Sequence, residues 1–353
     1  MKLSDFYRGK RVLVTGHTGF KGTWLCAMLL SMGAAVTGYA LAPNTEPSLF
    51  DLASMDEKMH SVIGDIRDYD ALKKCFDEAK PEIVLHLAAQ PIVKEGYRDP
   101  VGTYSANVMG TVHVMECVKN CSSVISVLNV TTDKVYAETG KAEGYVENDT
   151  LDGFDPYANS KSCSELVTAC YRRSFFHQLP VSTARAGNVI GGGDFAPNRI
   201  IPDCVRAAAA KQPIVLRNPY SIRPYQHVLE PLIVYLTIAM RQYENPELAG
   251  SYNVGPDLDG CVTTGELAKL FCDAWGENMQ CCVQPDGGPH EAAFLKLDCE
   301  LLKKTFGWKP TISVSEAVGM TVEWTKTWIY GGNLWDIMLQ QAKEALERNG
   351  EIL

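Results

Sequence analysis

A glycine-rich turn near the N-terminus constrains the fold of this chain more than any other feature. Residues 11–15 form a short apolar run, the sequence GHTGFKG follows at 16–22, and apolar residues then recur at helical spacing from Trp24. A strand, a tight glycine turn and a helix let the backbone approach a pyrophosphate at the helix N-terminus, where the dipole favours negative charge. The pattern therefore predicts the first unit of a dinucleotide-binding sheet.

Short apolar segments alternate with helical stretches through the first half of the chain. Further strands are predicted at 35–40, 61–64, 83–87, 124–130 and 181–184, with helices at 70–79 and 108–119. This alternation is typical of a parallel sheet covered on both faces. We therefore predict an α/β fold with a Rossmann-type doubly wound parallel sheet, whose ligands bind past the carboxyl ends of the strands. After residue 189 the segments shorten, which indicates a smaller mixed α/β region.

Composition limits the partners of the chain. The net charge of -9 over 353 residues disfavours nucleic acid or an anionic membrane as a partner. No apolar run reaches the ~18 residues of a membrane-spanning helix. The 12 cysteines show neither CxxC pairs nor Cys/His ligand spacing, so we expect no metal site and reduced thiols in a cytoplasmic protein.

Tyr157 and Lys161 lie four residues apart in a stretch that is predicted to be helical. Positions at this spacing share one face of a helix, so the phenol and the ammonium group would point the same way. A free phenol titrates near ~10, and a neighbouring positive charge favours the phenolate. The pair is either an acid–base group that works near neutral pH or only a solvated helix face.

With these patterns, and with the sequence TTD at 131–133 at a strand end, the chain resembles the extended short-chain dehydrogenase/reductases that act on nucleotide sugars. The resemblance covers nearly all of the chain to about residue 330 and is narrowest to the CDP-glucose 4,6-dehydratase subfamily. The stretches that carry it are GHTGFKGTWL (16–25), GDIRD (64–68), AAQPIV (88–93), TTDKVY (131–136), RAGNVIGGGD (185–194), RNPYSIRPYQHVLEPL (217–232) and PHEAAFLKLDC (289–299).

The resemblance implies NAD as the cofactor. Asp65 and Ile66 would line the adenine, and Lys161 would bond the nicotinamide ribose. The full set of implied cofactor-binding residues is Gly16, Thr18, Gly19, Phe20, Gly22, Asp65, Ile66, Ala88, Ala89, Asn107, Tyr157 and Lys161. The strand end at 39–41 lacks the acidic residue that usually binds the ribose hydroxyls, and His17 and Lys21 are both candidates to bind a 2'-phosphate. The choice of NAD over NADP therefore rests on the resemblance.

The resemblance also implies a redox cycle on CDP-glucose. Tyr157, beside Thr132, would remove the O4 proton while a hydride leaves C4, and Asp133 would protonate the departing 6-hydroxyl. Return of the hydride to C6 gives CDP-4-keto-6-deoxyglucose. Lys134 is either the base that removes the C5 proton or a charged partner of Asp133 or the substrate. The alternative reading of Thr132 and Asp133 is a helix-capping pair.

The implied substrate-binding residues lie in the second half of the chain. They are Asn188, Arg199, Arg217, Arg223, His290 and Glu291. Arginine forks match phosphate oxygens in a fixed geometry. Taken alone, Arg217 and Arg223 fit a solvated surface equally well.

The expected domains follow the same reading. Residues 1–187, with 229–256 returning to them, would form the NAD-binding domain, 188–228 and 257–330 the substrate domain, and 331–353 a C-terminal helical extension. The family pairs helices across a homodimer, which we also expect here. The rival functions are a 4-epimerase, a dehydratase of another nucleotide sugar, and a non-catalytic Rossmann protein that senses its cofactor. Asp133 disfavours the epimerase, and the combination of Thr132, Tyr157 and Lys161 disfavours the sensor.

Overall fold

The structure is a computed structural model that describes residues 1–141, 143–257, 260–276, 279–284 and 296–350. The described strands are β1 Arg11–Thr15, β2 Ala35–Ala40, β3 His60–Ile63, β4 Ile83–His86, β5 Ser126–Val130, β6 Val181–Ala186, β7 Val189–Ile190, β8 Ile214–Leu216, β9 Ile222–Pro224, β10 Gln226–His227, β11 Ser251–Val254, β12 Cys261–Thr263 and β13 Cys281–Val283.

Helices separate most of these strands. The described α-helices are α1 Leu3–Tyr7, α2 Phe20–Ser31, α3 Leu49–Leu52, α4 Tyr69–Ala79, α5 Val93–Arg98, α6 Pro100–Tyr104, α7 Gly110–Lys119, α8 Pro156–Ser174, α9 Ile200–Ala209, α10 Leu229–Glu244, α11 Thr264–Trp275, α12 Glu300–Phe306, α13 Val314–Ile329 and α14 Leu334–Arg348. A π-helical segment, Ser105–Met109, joins α6 to α7.

The central sheet is parallel and has seven strands in the order β11-β6-β5-β4-β1-β2-β3. Strand β1 pairs with both β2 and β4, so the chain reverses its direction of travel across the sheet between β3 and β4. Ligands of such sheets bind beside this switch point, at the carboxyl ends of the strands. The Rossmann-type fold class predicted from the sequence is confirmed.

Both faces of the sheet are buried, as the unbroken apolar character of its strands predicts. In β1, Val12 and Val14 belong to the core on one face, and Leu13 belongs to the core on the other. The first face is covered by α2, α10 and α14, and the second by α4 and α7. Thr15, the last residue of β1, therefore ends inside the protein, at the edge where the site lies.

The chain returns to the sheet after its excursion through β7–β10. Helix α10 packs on β5 and β6, and β11 adds to the sheet beside β6. Smaller strand pairs, β8 with β13 and β9 with β12, lie outside the sheet, with α9 and α11 against them. The boundaries that we predicted for the domains stay a prediction.

The C-terminal helix α14 packs against the rest of the chain rather than standing apart. Its side chains Leu334, Ile337 and Met338 are buried, and it contacts α2, α10 and α13. The sequence pattern had left open whether this helix packs on the core or on a partner. Within the described part of the chain, no helix combines the length and the apolar character that crossing a membrane requires.

Candidate active site

The glycine turn lies between the end of β1 and the start of α2, as its spacing predicts. Gly16 has φ +79°, and a Cβ there would lie 2.7 Å from the backbone nitrogen of Ala88. A Cβ at Gly22 would lie 2.1 Å from the carbonyl oxygen of Gly16, so both positions need glycine. Gly19 caps α2 without a side-chain hydrogen bond, and a Cβ there would make only an ordinary contact, 3.5 Å from the carbonyl oxygen of Gly16. No N-cap side chain therefore occupies the first N–H groups of α2, which suits the binding of an anion at this helix start.

The segment after β4 is fixed beside this turn. The Asn107 carboxamide accepts a hydrogen bond from the Gln90 amide at 2.7 Å and donates to Ser160 Oγ at 2.9 Å. Asn107 is buried, so the amide ties the segment that holds Ala88 and Ala89 to helix α8. Its predicted supporting role matches this position.

Thr132, Asp133 and Lys134 follow β5, and Asp133–Val135 form one turn of 3-10 helix. Thr132 Oγ1 donates to Asp133 Oδ1 at 2.9 Å, and Lys134 Nζ donates to the same oxygen at 2.8 Å. Asp133 is buried, whereas Lys134 is partly exposed. Thr132 also caps this turn, as the helix-capping interpretation expected. The catalytic role of Thr132 and Asp133 stays a prediction. Lys134 makes the ion pair with Asp133 that one of our two interpretations expected.

Tyr157 lies in the first turn of α8 because Asp155 and Pro156 start the helix there. Asp155 Oδ1 accepts hydrogen bonds from the backbone N–H groups of Tyr157 and Ala158 at 2.9 and 3.0 Å. Burial raises the pKa of the Tyr157 phenol, and Lys134 and a hydrogen bond with Thr132 pull this pKa down. A neighbouring cation favours the phenolate, as the sequence indicated, but the cations that do so are Lys134 and Arg199. Desolvation of the phenol outweighs them, so the pKa of Tyr157 is raised.

Lys161 follows Tyr157 by one turn of α8 and is 5% exposed. Its Nζ donates to the carbonyl oxygen of Val130 at 3.0 Å, at the end of β5. Burial lowers the pKa of Lys161 to about 8, and the nearby Glu165 carboxylate acts in the opposite direction. The lysine is thus fixed at the sheet edge where Asp133 lies.

Lys21 belongs to the site, although its sequence position suggested only a contact to a 2'-phosphate. Burial lowers the pKa of Lys21 to about 8, and Arg199, Lys161 and Lys134 act in the same direction, while Asp133 opposes them. Lys21 therefore lies within electrostatic range of Asp133 and of these three cations. The sequence shows a lysine inside the glycine turn, but it does not predict the direction in which that side chain points.

Tyr235, on α10, is a second residue that sequence reasoning missed. Its ring lies 6.0 Å from Lys21 Nζ, and its buried hydroxyl has no hydrogen-bond partner in the described structure. Burial raises the pKa of this phenol, and Tyr157 raises it further. The apolar pattern of α10 gave no signal beyond core packing.

The arginines predicted to bind substrate separate into two groups. Arg199 forms an ion pair with Asp194 at 3.3 Å. Its positive charge also lowers the pKa of Tyr157 and of Lys21. Arg217 donates to Asp203 at 2.9 Å and to Asn198 at 3.1 Å. The structure therefore brings Arg199 to the catalytic residues and anchors Arg217 on α9.

The other predicted substrate contacts lie around this region. Arg223 is on β9, and the buried Oδ1 of Asn188 has no hydrogen-bond partner in the described structure. An unpaired buried acceptor is a group that a ligand can satisfy. His290 and Glu291 lie outside the described residues.

The residues predicted near the adenosine part of the cofactor match expectation only in part. His17 is buried against Gly38, its Nε2 lies 2.7 Å from Ser61 Oγ, and burial lowers its pKa to about 4. A buried neutral imidazole does not suit a 2'-phosphate, so that alternative for His17 was wrong. The Asp65 carboxylate is paired with Arg67, and Ile66 packs against Gly110.

Thr18 and Phe20 complete the turn. Thr18 Oγ1 donates to the carbonyl oxygen of Leu41 at 2.8 Å, and Phe20 is half-buried at the start of α2. Over the described ranges, no cluster of three or more His, Cys, Asp or Glu residues has a geometry that holds a metal ion.

Comparisons with known proteins agree with this geometry. The chain is 46% identical over 338 residues to a CDP-glucose 4,6-dehydratase of Salmonella typhimurium, covering 94% of each chain. It is 25% identical to a dTDP-glucose 4,6-dehydratase of Xanthomonas campestris pv. campestris, over 90% of this chain and 95% of that protein. The structure of a Thermus thermophilus UDP-glucose 4-epimerase in complex with NAD matches with a TM-score of 0.76 and 25% identity, over 90% of this chain and 99% of that chain.

The family comparison covers the sheet, the glycine turn and the catalytic helix together. The family described as GDP-mannose 4,6 dehydratase matches residues 13–321. This range contains the Thr132–Lys134 turn and the Tyr157–Lys161 pair. The chain is therefore a member of the GDP-mannose 4,6 dehydratase family.

Proposed function

We propose that this enzyme is an NAD-dependent lyase that converts CDP-D-glucose to CDP-4-keto-6-deoxy-D-glucose and water. The observation that carries the proposal is the buried Asp133 carboxylate, paired with Lys134 at 2.8 Å and in electrostatic contact with Tyr157. This arrangement supplies one group for the oxidation at C4 and another for the elimination across C5 and C6. The 46% identical CDP-glucose 4,6-dehydratase supports the choice of nucleotide.

The residues of the glycine turn fit NAD. Helix α2 begins at Gly19 with no side-chain cap and no acidic residue in its first turn, which also contains Lys21. The end of β2 is filled by Tyr39, whose hydroxyl donates to the carbonyl oxygen of Asp65 at 3.1 Å. With His17 buried, Lys21 is left of the two groups considered for a 2'-phosphate, and its charge lies with the catalytic residues. We therefore propose NAD rather than NADP.

Tyr157 is the group proposed to exchange a proton with O4 of the hexose. When bound, NAD supplies the hydride acceptor for C4 and the hydride donor for C6. The phenol needs nearby cations to release its proton, because burial raises its pKa, and Lys134 and Arg199 are the cations that counter this. Lys161 would hold the nicotinamide ribose beside the sugar. Loss of H⁻ from C4 and H⁺ from O4 leaves a ketone that acidifies the C5 hydrogen.

Asp133 is proposed to act in the elimination. For this step Asp133 must first carry a proton, and the proton that Tyr157 takes from O4 is the one that balances it. A base removes the C5 proton, the C6–O bond breaks, and the protonated Asp133 gives its proton to the departing hydroxyl, which leaves as water. The hydride then returns to C6 and a proton returns to C5. Lys134 either removes the C5 proton or stays an ammonium group that holds Asp133. The ion pair at 2.8 Å is the arrangement that the second role needs.

The closest rival is a 4-epimerase or a dehydratase of another nucleotide sugar, since UDP-glucose 4-epimerases share the fold. The comparison that decides it is incubation with CDP-, UDP-, GDP- and dTDP-glucose, followed by the ultraviolet absorbance of the 4-keto product in base. We expect product from CDP-glucose first. Product from another nucleotide at a higher rate would overturn the substrate, and a 4-epimer without 4-keto product would overturn the reaction.

We also propose a homodimer formed through the face of α6, α7 and α8. The three helices and the π-helical segment between α6 and α7 pack together. Val101 on α6, Met109 on the π-helical segment and Leu166 on α8 have exposed fractions of 80%, 48% and 55%. Exposed apolar side chains on adjacent helices suit a second copy of the chain better than water. We place the enzyme in the cytoplasm, in keeping with its 12 free thiols.

A further inference from the structure

Glu165 and Arg185 form a buried ion pair behind the site. Arg185 Nη2 lies 2.9 Å from Glu165 Oε2, and the two side chains are 4% and 2% exposed. The same carboxylate accepts hydrogen bonds from Thr131 Oγ1 at 2.5 Å and from Thr183 Oγ1 at 2.7 Å. One carboxylate thus joins α8 to the ends of β5 and β6.

Its position relates it to the proposed chemistry. Glu165 follows Lys161 by one turn of α8, so the two side chains share a helix face. Thr131, which donates to Glu165, directly precedes Thr132 and Asp133. Lys161 donates to the carbonyl of Val130, the residue before Thr131. The carboxylate therefore touches the segment that supports Asp133 and lies one turn from the lysine.

The pair continues into a longer hydrogen-bonded chain. Arg185 Nη1 donates to Tyr136 Oη at 2.8 Å, and Tyr136 Oη donates to Asn253 Oδ1 at 2.5 Å. Asn253 Nδ2 then donates to the carbonyl oxygens of Tyr145 and Asp298 at 2.7 and 3.0 Å. Arg185 is therefore held by Tyr136 at one nitrogen and by Glu165 at the other, which fixes its distance from Glu165.

Stability alone gives little reason for such a pair. A buried ion pair is often no more stabilising than apolar side chains of the same volume, because both charges lose their hydration. Another effect of this charge is therefore to be looked for, and the titratable group one turn before it on the same face of α8 is Lys161.

We propose that Glu165 is a positioning residue that keeps Lys161 in its charged, cofactor-binding form and fixes the Thr131–Asp133 turn. Its ion-pair partner Arg185 partly neutralises its charge. The inference rests on the proposed function, in which Lys161 holds the cofactor. The charge that favours the ammonium form comes from Glu165 on α8, and Arg185 on β6 partly cancels it.

The other groups that face Lys161 do not replace this carboxylate. Lys21 on α2 is a cation and acts in the opposite direction. His86 on β4 is buried, and burial lowers its pKa to about 3, so it is uncharged at neutral and alkaline pH. Tyr157, on the same helix, is a neutral phenol until it loses its proton. Glu165 is therefore the anion that acts on Lys161.

Removal of each partner should shift the titration of Lys161 in opposite directions. In Glu165→Gln the favourable carboxylate is gone, so the pKa of Lys161 falls below its present value of about 8. In Arg185→Gln the carboxylate is no longer neutralised, so the pKa of Lys161 rises. A nearby charge typically shifts a pKa by about one unit or more. A purely structural defect would weaken both variants without moving the midpoint.

The experiment is calorimetric NAD binding to the full chain from roughly pH 6.5 to 9.5, a range that spans the usual shifts of a pKa by a neighbouring charge around the lowered pKa of Lys161, about 8. Wild-type affinity should fall as pH rises through the pKa of Lys161. The midpoint should move down by about one unit in Glu165→Gln and upward, by less, in Arg185→Gln. Lys21 and Tyr157 titrate in every variant, so only the displacement between variants counts. Midpoints that stay fixed, or that move the same way, would overturn the inference.

Glu147→Gln is the matched control. Glu147 Oε1 accepts from the Asn253 amide at 2.9 Å, so it belongs to the same hydrogen-bonded chain without acting on Lys161. Its midpoint should equal that of wild type. If Glu165→Gln does not fold because Arg185 is left unpaired, the double variant with Arg185→Gln replaces both charges and should still titrate below wild type.

The two proposals fail separately. If NAD binding shows the opposite displacements while CDP-glucose is not converted, the substrate assignment falls and the positioning role stands. If CDP-glucose is converted but the midpoints do not separate, the enzyme assignment stands and the positioning role falls.

Discussion

At the scale of single residues, one carboxylate carries most of the proposed chemistry. Asp133 is buried, accepts from Thr132 and Lys134, and lies in the field of Tyr157 and Lys21. The family resemblance, rather than any spacing pattern, predicted that Thr132, Asp133 and Tyr157 are neighbours. It did not predict the place of Lys21 or Tyr235, because a spacing pattern gives the face of a helix but not the reach of a long side chain.

Tyr157→Phe should lower turnover about 10²–10⁴-fold, because a positioned acid–base group typically contributes this much. NAD binding should be largely retained, since Lys161 and the glycine turn are untouched. Steady-state rates and calorimetry check the two halves. Tyr330→Phe, an exposed tyrosine at the end of α13, serves as the control. A rate near that of wild type would remove Tyr157 from the mechanism.

Asp133→Asn should separate the two halves of the reaction. Hydride transfer from C4 needs no proton at the 6-hydroxyl, whereas the elimination does. Rapid mixing should show reduced cofactor together with a 4-keto sugar that retains its 6-hydroxyl. Equal slowing of both steps, with no accumulation, would instead mean that Asp133 acts by holding Lys134 and Thr132 in place.

Lys134→Met tests which of the two roles the lysine has. If Lys134 is the base, the variant should oxidise C4 yet fail to exchange the C5 hydrogen with deuterated water. If Lys134 is the charged partner of Asp133, as the 2.8 Å ion pair favours, C5 exchange should persist while the later loss of water slows. Mass spectrometry of recovered sugar distinguishes the two outcomes.

At the scale of elements, the sequence predicted the sheet well and its connections less well. The bounds of β2 match the predicted strand at 35–40. The π-helical segment Ser105–Met109 overlaps the start of a stretch that was predicted as ordinary helix. Its wider turn includes Asn107, whose side-chain oxygen accepts a hydrogen bond from the backbone N–H of Gln90. No local sequence propensity predicts a π-helical turn.

Asp155→Ala should destabilise the protein by about 0.5–2 kcal/mol, the usual contribution of a helix N-cap. It should also lower kcat, because the lost cap holds the turn of α8 that contains Tyr157. Asn333→Ala is the matched control, since it removes the cap of α14 far along the chain. Denaturant unfolding should show a comparable loss for both, and only Asp155→Ala should change kcat. An unchanged kcat would mean that packing alone positions Tyr157.

At the scale of the whole molecule, the site depends on segments that are far apart along the chain. The glycine turn comes from the first 22 residues, the proposed catalytic residues from the turn after β5 and from α8, and Arg199 from the start of α9. The sequence predicted this assembly through the resemblance, since periodicity alone does not place Arg199 near Tyr157. The exposed apolar face of α6, α7 and α8 is the surface that we propose as the dimer interface.

Leu166→Arg should convert the proposed dimer to a monomer, because an unpaired charge would be buried at the interface. Light scattering after size exclusion measures this directly. Leu301→Arg places the same charge on α12, at an exposed leucine outside that face, and should leave the mass unchanged. A wild-type chain that is already monomeric at micromolar concentration would rule out the interface.

The return of β11 to the sheet has a consequence for synthesis on the ribosome. Strand β6 emerges long before α10 and β11, which cover its face and its edge. Helix α2 likewise stays uncovered on one side until α14, the last described helix, has been synthesised. A nascent chain that pauses between these points exposes an apolar sheet face and an unpaired strand edge, both of which promote aggregation. Truncated forms of this protein should therefore depend on chaperones even though each has its complete glycine turn.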